Sequence, residues 1–287
     1  MTYYIFRFAG WLCPHLSTRF GYWLFARLGD LAFLFASKNQ TAYFSNLRHV
    51  LGDSASPAQM NTIARRAFQN LWKNYFDLFR GHRLSKEEIR AQLADVHGLE
   101  HLENALQPGK GIIAGSAHFG AWDLFIHLAA AHLNRRVVVP NEHIKPEKLF
   151  QYILRLRASQ GIEMVPIEIA PRALIKALRN GDIAGLAYDR DITKTGPIVN
   201  FFGAPAQIPD GAVQLALKYD APVVIAFAVR GDDNRSRVFI EPPLTFQKTG
   251  DLPSDIRNGV QQLANIMEKY IRQYPDQWLV FQKIWEE

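Results

Sequence analysis

From about residue 110 onward, short apolar runs alternate with stretches of helical periodicity, and nothing else in the chain restricts its fold as tightly. The runs fall at 110–116 (KGIIAGS), 136–140 (RVVVP), 163–167 (EMVPI), 182–187 (DIAGLA), 222–229 (PVVIAFAV) and 237–240 (RVFI). Helices are predicted near 119–132, 146–159, 172–180 and 209–219, the third ended by Gly181, with a last helix at about 254–274. Strands joined through helices pair in parallel, because a tight hairpin cannot connect parallel neighbours. The alternation therefore predicts an α/β fold with a mixed, partly parallel sheet flanked by helices.

The first 95 or so residues read differently, as helices throughout. Ser56, Pro57 and Gln59 supply a cap, a first-turn proline and a capping-box partner. Met60, Ile63, Ala67, Leu71, Tyr75 and Phe79 then recur on one face, predicting a helix over 56–80. Ser85 and Glu88 open a shorter helix in the same way. The chain thus divides into a helical N-terminal region, 1–95, and an α/β core, 96–287, forming one compact unit. An apolar fraction of 48% supplies the core such a unit needs.

Two N-terminal segments, 3–13 (YYIFRFAGWLC) and 20–36 (FGYWLFARLGDLAFLFA), are the most apolar in the chain. No small-residue cleavage site follows them, which argues against a signal peptide. Arg27 and Asp30 sit at the centre of the second segment. Inserting both costs about 5–7 kcal/mol against about 2–5 kcal/mol gained from its Leu and Phe residues, so a membrane span is disfavoured. An interfacial position fits better. Trp11, Phe20, Trp23, Phe25 and Phe33 offer anchors, and Arg7, Arg19, Arg27 and Lys38 can face lipid phosphates. Packing of these helices on the rest of the domain is the competing reading. The expectation is a helical extension contacting an anionic membrane surface, peripheral or monotopic on the cytoplasmic face of the plasma membrane.

A net charge of +6 also suits nucleic acid or phosphorylated substrates. No basic run exceeds two residues and no nucleic-acid-binding motif occurs, so a nucleic-acid partner is not expected. The single cysteine, Cys13, excludes a disulfide within the chain and a cysteine-based zinc site, and reads as a small buried hydrophobe.

Chemistry concentrates in GIIAGSAHFGAWD, residues 111–123. The apolar run ends in Gly115-Ser116-Ala117, which puts His118 at the carboxyl end of a strand, where open α/β sheets bind ligands. Asp123 lies about one helical turn further on and can reach back to one imidazole nitrogen. The other nitrogen is then a general base near neutral pH. A structural His–Asp pair is the alternative for that spacing. Asp189, followed by Arg190 and Asp191, also stands just past a strand, so two strands deliver polar groups to one sheet edge. A self-paired solvated loop is the alternative there.

Other chemistries find no support in the sequence. The G-x-S-x-G elbow, the phosphate-binding P-loop and G-x-G-x-x-G are all absent. HExxH is absent too, and His127 and His132 are read as packing or solvent-facing, so no metal is expected.

HFGAWD resembles the H-x4-D motif of the glycerolipid acyltransferases. The wider pattern resembles their lipid A lauroyl/myristoyl acyltransferase branch, which includes the phosphatidylinositol mannoside acyltransferases. NLRHVLG (46–52), RLRASQG (155–161), YDRD (188–191), VNFFGAPAQIPDGAVQLAL (199–217) and PDQWLVFQKIW (275–285) fall in that branch's order, so the likeness spans nearly the whole chain. It implies a single-step acyl transfer without an acyl-enzyme. His118 would act as base, oriented by Asp123, with acyl-CoA or acyl-carrier protein as co-substrate and no cofactor. A membrane lipid or glycolipid hydroxyl would be the acceptor. Arg155 and Asp189, with Arg157 as a rival for Arg155, would bind substrate, the arginine meeting a phosphate or the developing oxyanion. Many members of the branch carry Glu where this chain has Asp123, and the chain also departs in having a charged N-terminal segment in place of a clear span and Asp210 before Gly211. A catalytically silent lipid-binding protein and an acyl thioesterase are the other readings.

Overall fold

The computed structural model describes all residues except 53, 107–108, 124–125, 128–134, 159–161 and 286–287. Its framework is a seven-stranded sheet in the order β1-β9-β8-β2-β5-β3-β4. The strands are β1 (Leu93–His97), β2 (Ile112–Ser116), β3 (Val137–Asn141), β4 (Ile162–Pro166), β5 (Ile183–Ala187), β8 (Val223–Arg230) and β9 (Ser236–Ile240). From β8 to β4 every neighbouring pair is parallel, while β9 runs antiparallel to β8 and carries β1 parallel to itself at the edge. The interior strand β8 is buried along its whole length, which explains its unbroken apolar sequence.

The helices are α1 (Thr2–Leu12), α2 (Thr18–Phe35), α3 (Ser37–Leu51), α4 (Pro57–Gly81), α5 (Lys86–Ala91), α6 (Leu99–Ala105), α7 (Glu147–Arg157), α8 (Ala170–Arg179), α9 (Gly211–Tyr219) and α10 (Leu252–Gln273). Ser56 caps α4 by accepting from Gln59 N, and Ser85 with Glu88 forms a full capping box on α5. The apolar runs all became strands. Half of the helix expected at 119–132 lies outside the described residues, and 122–123 and 126–127 are helical.

One element differs from the sequence reading, and a second was not predicted by it. The N-terminal region is not helical to residue 95, because β1 begins at Leu93 and residue 95 lies inside it. LADVH has a single β-branched residue, and its strand form comes from pairing with β9. The FFG block forms a hairpin of β6 (Ile198–Phe201) and β7 (Ala204–Gln207), turning at Phe202 and Gly203, both with positive φ. Both Phe201 and Phe202 are buried.

The N-terminal helices belong to the body of the molecule. Glycines let α2 press on α4: a Cβ at Gly29 would come within 2.7 Å of Gln69 Cα, and Gly21 leaves room for the ring of Phe76. Gly10 of α1 likewise accepts the Tyr152 side chain of α7. Phe25 is buried and Phe33 packs on Phe68, so these two are not surface anchors; they lie on the side of α2 that faces α4. Among the described residues, no helix is long and apolar enough to cross a membrane.

Candidate active site

Strands β2 and β5 run side by side with Ser116 opposite Ala187. Two residues beyond that pair stand His118 and Asp189. The imidazole Nδ1 lies 2.8 Å from Asp189 Oδ1, and the backbone N–H of His118 donates to Oδ2, also at 2.8 Å. A third donor, the indole Nε1–H of Trp278, reaches Oδ2 at 2.9 Å. Asp189 is wholly buried. Burial alone pushes its carboxyl up, but the His118 charge and the hydrogen bonds from His118 and Trp278 outweigh it and hold the group below its ordinary value. An ionised carboxylate only accepts, so Nδ1 carries a proton, and in the neutral ring the lone pair is on Nε2. The His118 side chain is 33% exposed while its Nδ1 edge meets a fully buried group, so the accessible edge is the one bearing Nε2.

The turn that carries His118 is fixed on every side. Gly120 has φ +54, and a Cβ there would lie 1.9 Å from Ala228 O, so only glycine fits. Its N–H donates to Gln277 O at 2.7 Å, and Leu279 N–H donates to His118 O at 2.7 Å. Residues 277–279 thus lie along 118–120 like a short strand, with Trp278 opposite Phe119. From the other side, Asn74 of α4 donates to Gly120 O at 2.7 Å. Asn74 is itself held by Arg230, whose Nη2 is 2.6 Å from Asn74 Oδ1 and 2.6 Å from Asp77 Oδ2. Arg230, at the end of β8, is almost entirely buried, with its guanidinium over the Tyr22 ring.

Asp123 does not take the place expected for it. Among the described residues no hydrogen bond joins it to His118. Its carboxylate pairs instead with Arg157 of α7, Nε at 2.9 Å from Oδ1 and Nη2 at 3.1 Å from Oδ2. Arg157 Nη1 also donates to Asn141 Oδ1 at the end of β3, at 3.4 Å. The physical reason lies in the sheet: neighbouring parallel strands put Asp189 against the imidazole first, and burial of Asp123 makes the nearby guanidinium its partner. Asp123 and Arg157 therefore brace α7 against the site. Arg155, two positions away on the same helix, is exposed, with no ion pair among the described residues.

The DRD loop divides its work. Asp189 enters the site, whereas Asp191 accepts from the backbone N–H groups of Thr193, Lys194 and Gly196, ordering the loop that follows. Arg190 pairs with Glu142. Among the described residues, no group of three or more His, Cys, Asp or Glu side chains is placed to hold a metal. His127 is buried, and burial lowers its pKa, while His132 lies outside the described residues. Sequence reasoning missed the contributions of Trp278, Asn74 and Arg230. Only Trp278 had left a signal, as part of the tail motif.

A carboxylate-backed imidazole at the carboxyl edge of an α/β sheet has the chemistry to accept and return a proton. The chain belongs to the bacterial lipid A biosynthesis acyltransferase family, whose pattern it matches over residues 1–287, and it is an acyltransferase. It is similar to the phosphatidylinositol mannoside acyltransferase of Mycobacterium tuberculosis (strain CDC 1551 / Oshkosh), 29% identical over 248 residues, covering 84% of this chain and 75% of that relative. The phosphatidylinositol mannoside acyltransferase of Mycolicibacterium smegmatis is 28% identical over 249 residues, covering 84% of this chain and 77% of the relative.

Proposed function

We propose that this chain moves a fatty acyl group from a thioester of coenzyme A or acyl-carrier protein to a hydroxyl of a membrane glycolipid. The observation that carries the reading is the pairing of partly exposed His118 with buried Asp189. His118 Nε2 takes the proton of the acceptor hydroxyl as that oxygen attacks the thioester carbonyl. The new C–O bond leaves a tetrahedral oxyanion. Its collapse breaks the C–S bond, and the imidazolium returns its proton to the departing thiolate. The products are an ester and a free thiol, with no acyl-enzyme between. Asp189 stays ionised throughout, fixes the Nδ1–H tautomer and stabilises the imidazolium.

The arginines have separate roles in this reading. Arg157 acts through Asp123, holding α7 in place, while exposed Arg155 suits a phosphate of donor or acceptor. Relatives that acylate phosphatidylinositol mannosides support a phosphorylated glycolipid as the acceptor.

Exposed apolar side chains on α1 and α2 support action at a membrane surface. Phe8 and Trp11 are each 59% exposed, Trp23 is 56% and Phe35 is 82%. Arg7, Arg19, Arg27 and Lys38 are exposed beside them, each able to add about 1 kcal/mol near anionic lipid. Because α1 packs on α7 through Gly10 and Tyr152, this surface adjoins the helix that holds Asp123. The cytoplasmic face of the plasma membrane is the proposed location, with the protein peripheral or monotopic there.

The test uses native protein and His118→Ala with radiolabelled acyl-CoA, or acyl-carrier protein as donor, and a total lipid extract. A labelled glycolipid should form, and His118→Ala should lower its formation by about 10²–10⁴-fold with folding unchanged. Labelled fatty acid alone would mean a thioesterase. No movement of label from either donor would leave a lipid-binding protein.

A further inference from the structure

We infer that Trp278 is a positioning residue for the reaction: its indole N–H fixes the charge of Asp189 and through it sets the basicity of His118. The inference rests on the His118–Asp189 pair acting as the base. Asp189 Oδ1 serves the imidazole, while Oδ2 is shared by the His118 backbone N–H and the Trp278 indole. Among the described residues, two of the three donors thus come from the residue being tuned, and Trp278 supplies the independent one. Among the described residues, the titratable side chain bonded to Asp189 is His118.

The contact is not a by-product of burying a tryptophan. Trp278 and Trp285 sit in one aromatic cluster, ring centroids 6.3 Å apart, and both are buried. Among the described residues, the buried indole nitrogen of Trp285 has no hydrogen-bond partner. The cluster therefore tolerates an unpaired indole, yet Trp278 aims its own at a charged oxygen. Its direction is fixed by the backbone bonds from Gly120 to Gln277 and from Leu279 to His118. The tail itself is gripped by the N-terminal helices: Tyr43 donates to Pro275 O, Asn70 to Asp276 O and Asn46 to Val280 O. This gives PDQWLVFQKIW a chemical role beyond filling space. A hydrogen bond to a carboxylate draws its charge away from the opposite oxygen. Removing the indole N–H leaves more charge facing Nδ1–H and favours the imidazolium.

The test is an NMR titration of the His118 ring, assigned by comparison with His118→Gln, in native protein, Trp278→Phe and Trp285→Phe. Trp278→Phe should raise the His118 pKa by about 0.5–1 unit, and the acid limb of the rate profile should move up equally. Trp285→Phe, a comparable loss from the same cluster, should leave the His118 value in place. An unchanged value in Trp278→Phe, or equal shifts in both variants, would overturn the inference. Should Trp278→Phe not fold, the native Trp278 indole N–H resonance decides. It must move as His118 titrates, and a flat resonance contradicts the coupling. Since the titration needs no substrate, it stays readable even if His118→Ala proves the transfer reading wrong.

Discussion

Ser116 and Ala187 face each other across the parallel strands β2 and β5, and this register sets the site. Each strand continues two residues past the pair, to His118 and Asp189, and the side chains meet at 2.8 Å. A slip of one residue would turn one of them to the opposite face of the sheet. The imidazole and its carboxylate partner are thus positioned by sheet order, whereas Asp123, nearer in sequence, is committed to Arg157.

Breaking the Asp123–Arg157 pair should cost stability first. Asp123 is buried and Arg157 is 19% exposed, so Asp123→Asn should destabilise by about 2–3 kcal/mol, somewhat less than a fully buried pair. Urea unfolding of Asp123→Asn, Arg157→Gln and the double variant checks this. The double variant should lose less than the sum of the two singles.

Arg230 should be intolerant of single replacement. Arg230→Leu leaves Asp77 buried without its cation and should cost about 3–5 kcal/mol, read from the unfolding midpoint. Adding Asp77→Leu should recover part of the loss, though Asn74 then holds Gly120 less firmly. Activity of that double variant should therefore stay below native even where stability returns.

Membrane contact is better tested by point changes than by removing residues 1–36. Such a deletion strips α2 from α4 and exposes Phe76, which is fully buried in the intact chain. Replacing exposed Trp11 and Trp23 with Ser should weaken sedimentation with anionic vesicles and leave the melting temperature near native. Raising salt should weaken native binding as well, through screening of the arginines. Equal binding by native and double variant would exclude this surface.

Cys13 should be chemically silent in the folded protein. It is buried, and burial pushes its thiol up to about 11. At pH 8 only about one molecule in a thousand then carries the thiolate that reacts. Thiol reagents should label it slowly in buffer and promptly in urea; fast labelling of folded protein would contradict the packing of α1 on its neighbours.

Much of the architecture was legible because it is local. Each apolar run near residues 112, 137, 162, 183 and 223 has its own turn signals, and each became a strand. His118 and Asp189 were readable as strand-end residues for the same reason. Their partnership was not, since it depends on β2 lying beside β5, a pairing of segments some 70 positions apart that no local pattern encodes. LADVH lacks intrinsic strand character, and β9 imposes it. The FFG block was visible as a motif, but its hairpin turns on Phe202 at φ +54, a conformation a phenylalanine rarely signals. Phe25 and Phe33 looked like Phe20 and Trp23 because helix α2 is apolar nearly all round, and only α4 shows which side is covered.

The most direct test of the account compares acyl transfer by Asp189→Asn with transfer by Asp123→Asn, both at a temperature where each is fully folded. Asp189→Asn should lose about 10²–10⁴-fold in kcat with KM near native, because an amide can present the wrong group to Nδ1 and no longer stabilises the imidazolium. Asp123→Asn should keep the larger share of its activity. Near-native turnover by Asp189→Asn, with Asp123→Asn inactive though folded, would contradict the assignment and return the orienting role to Asp123.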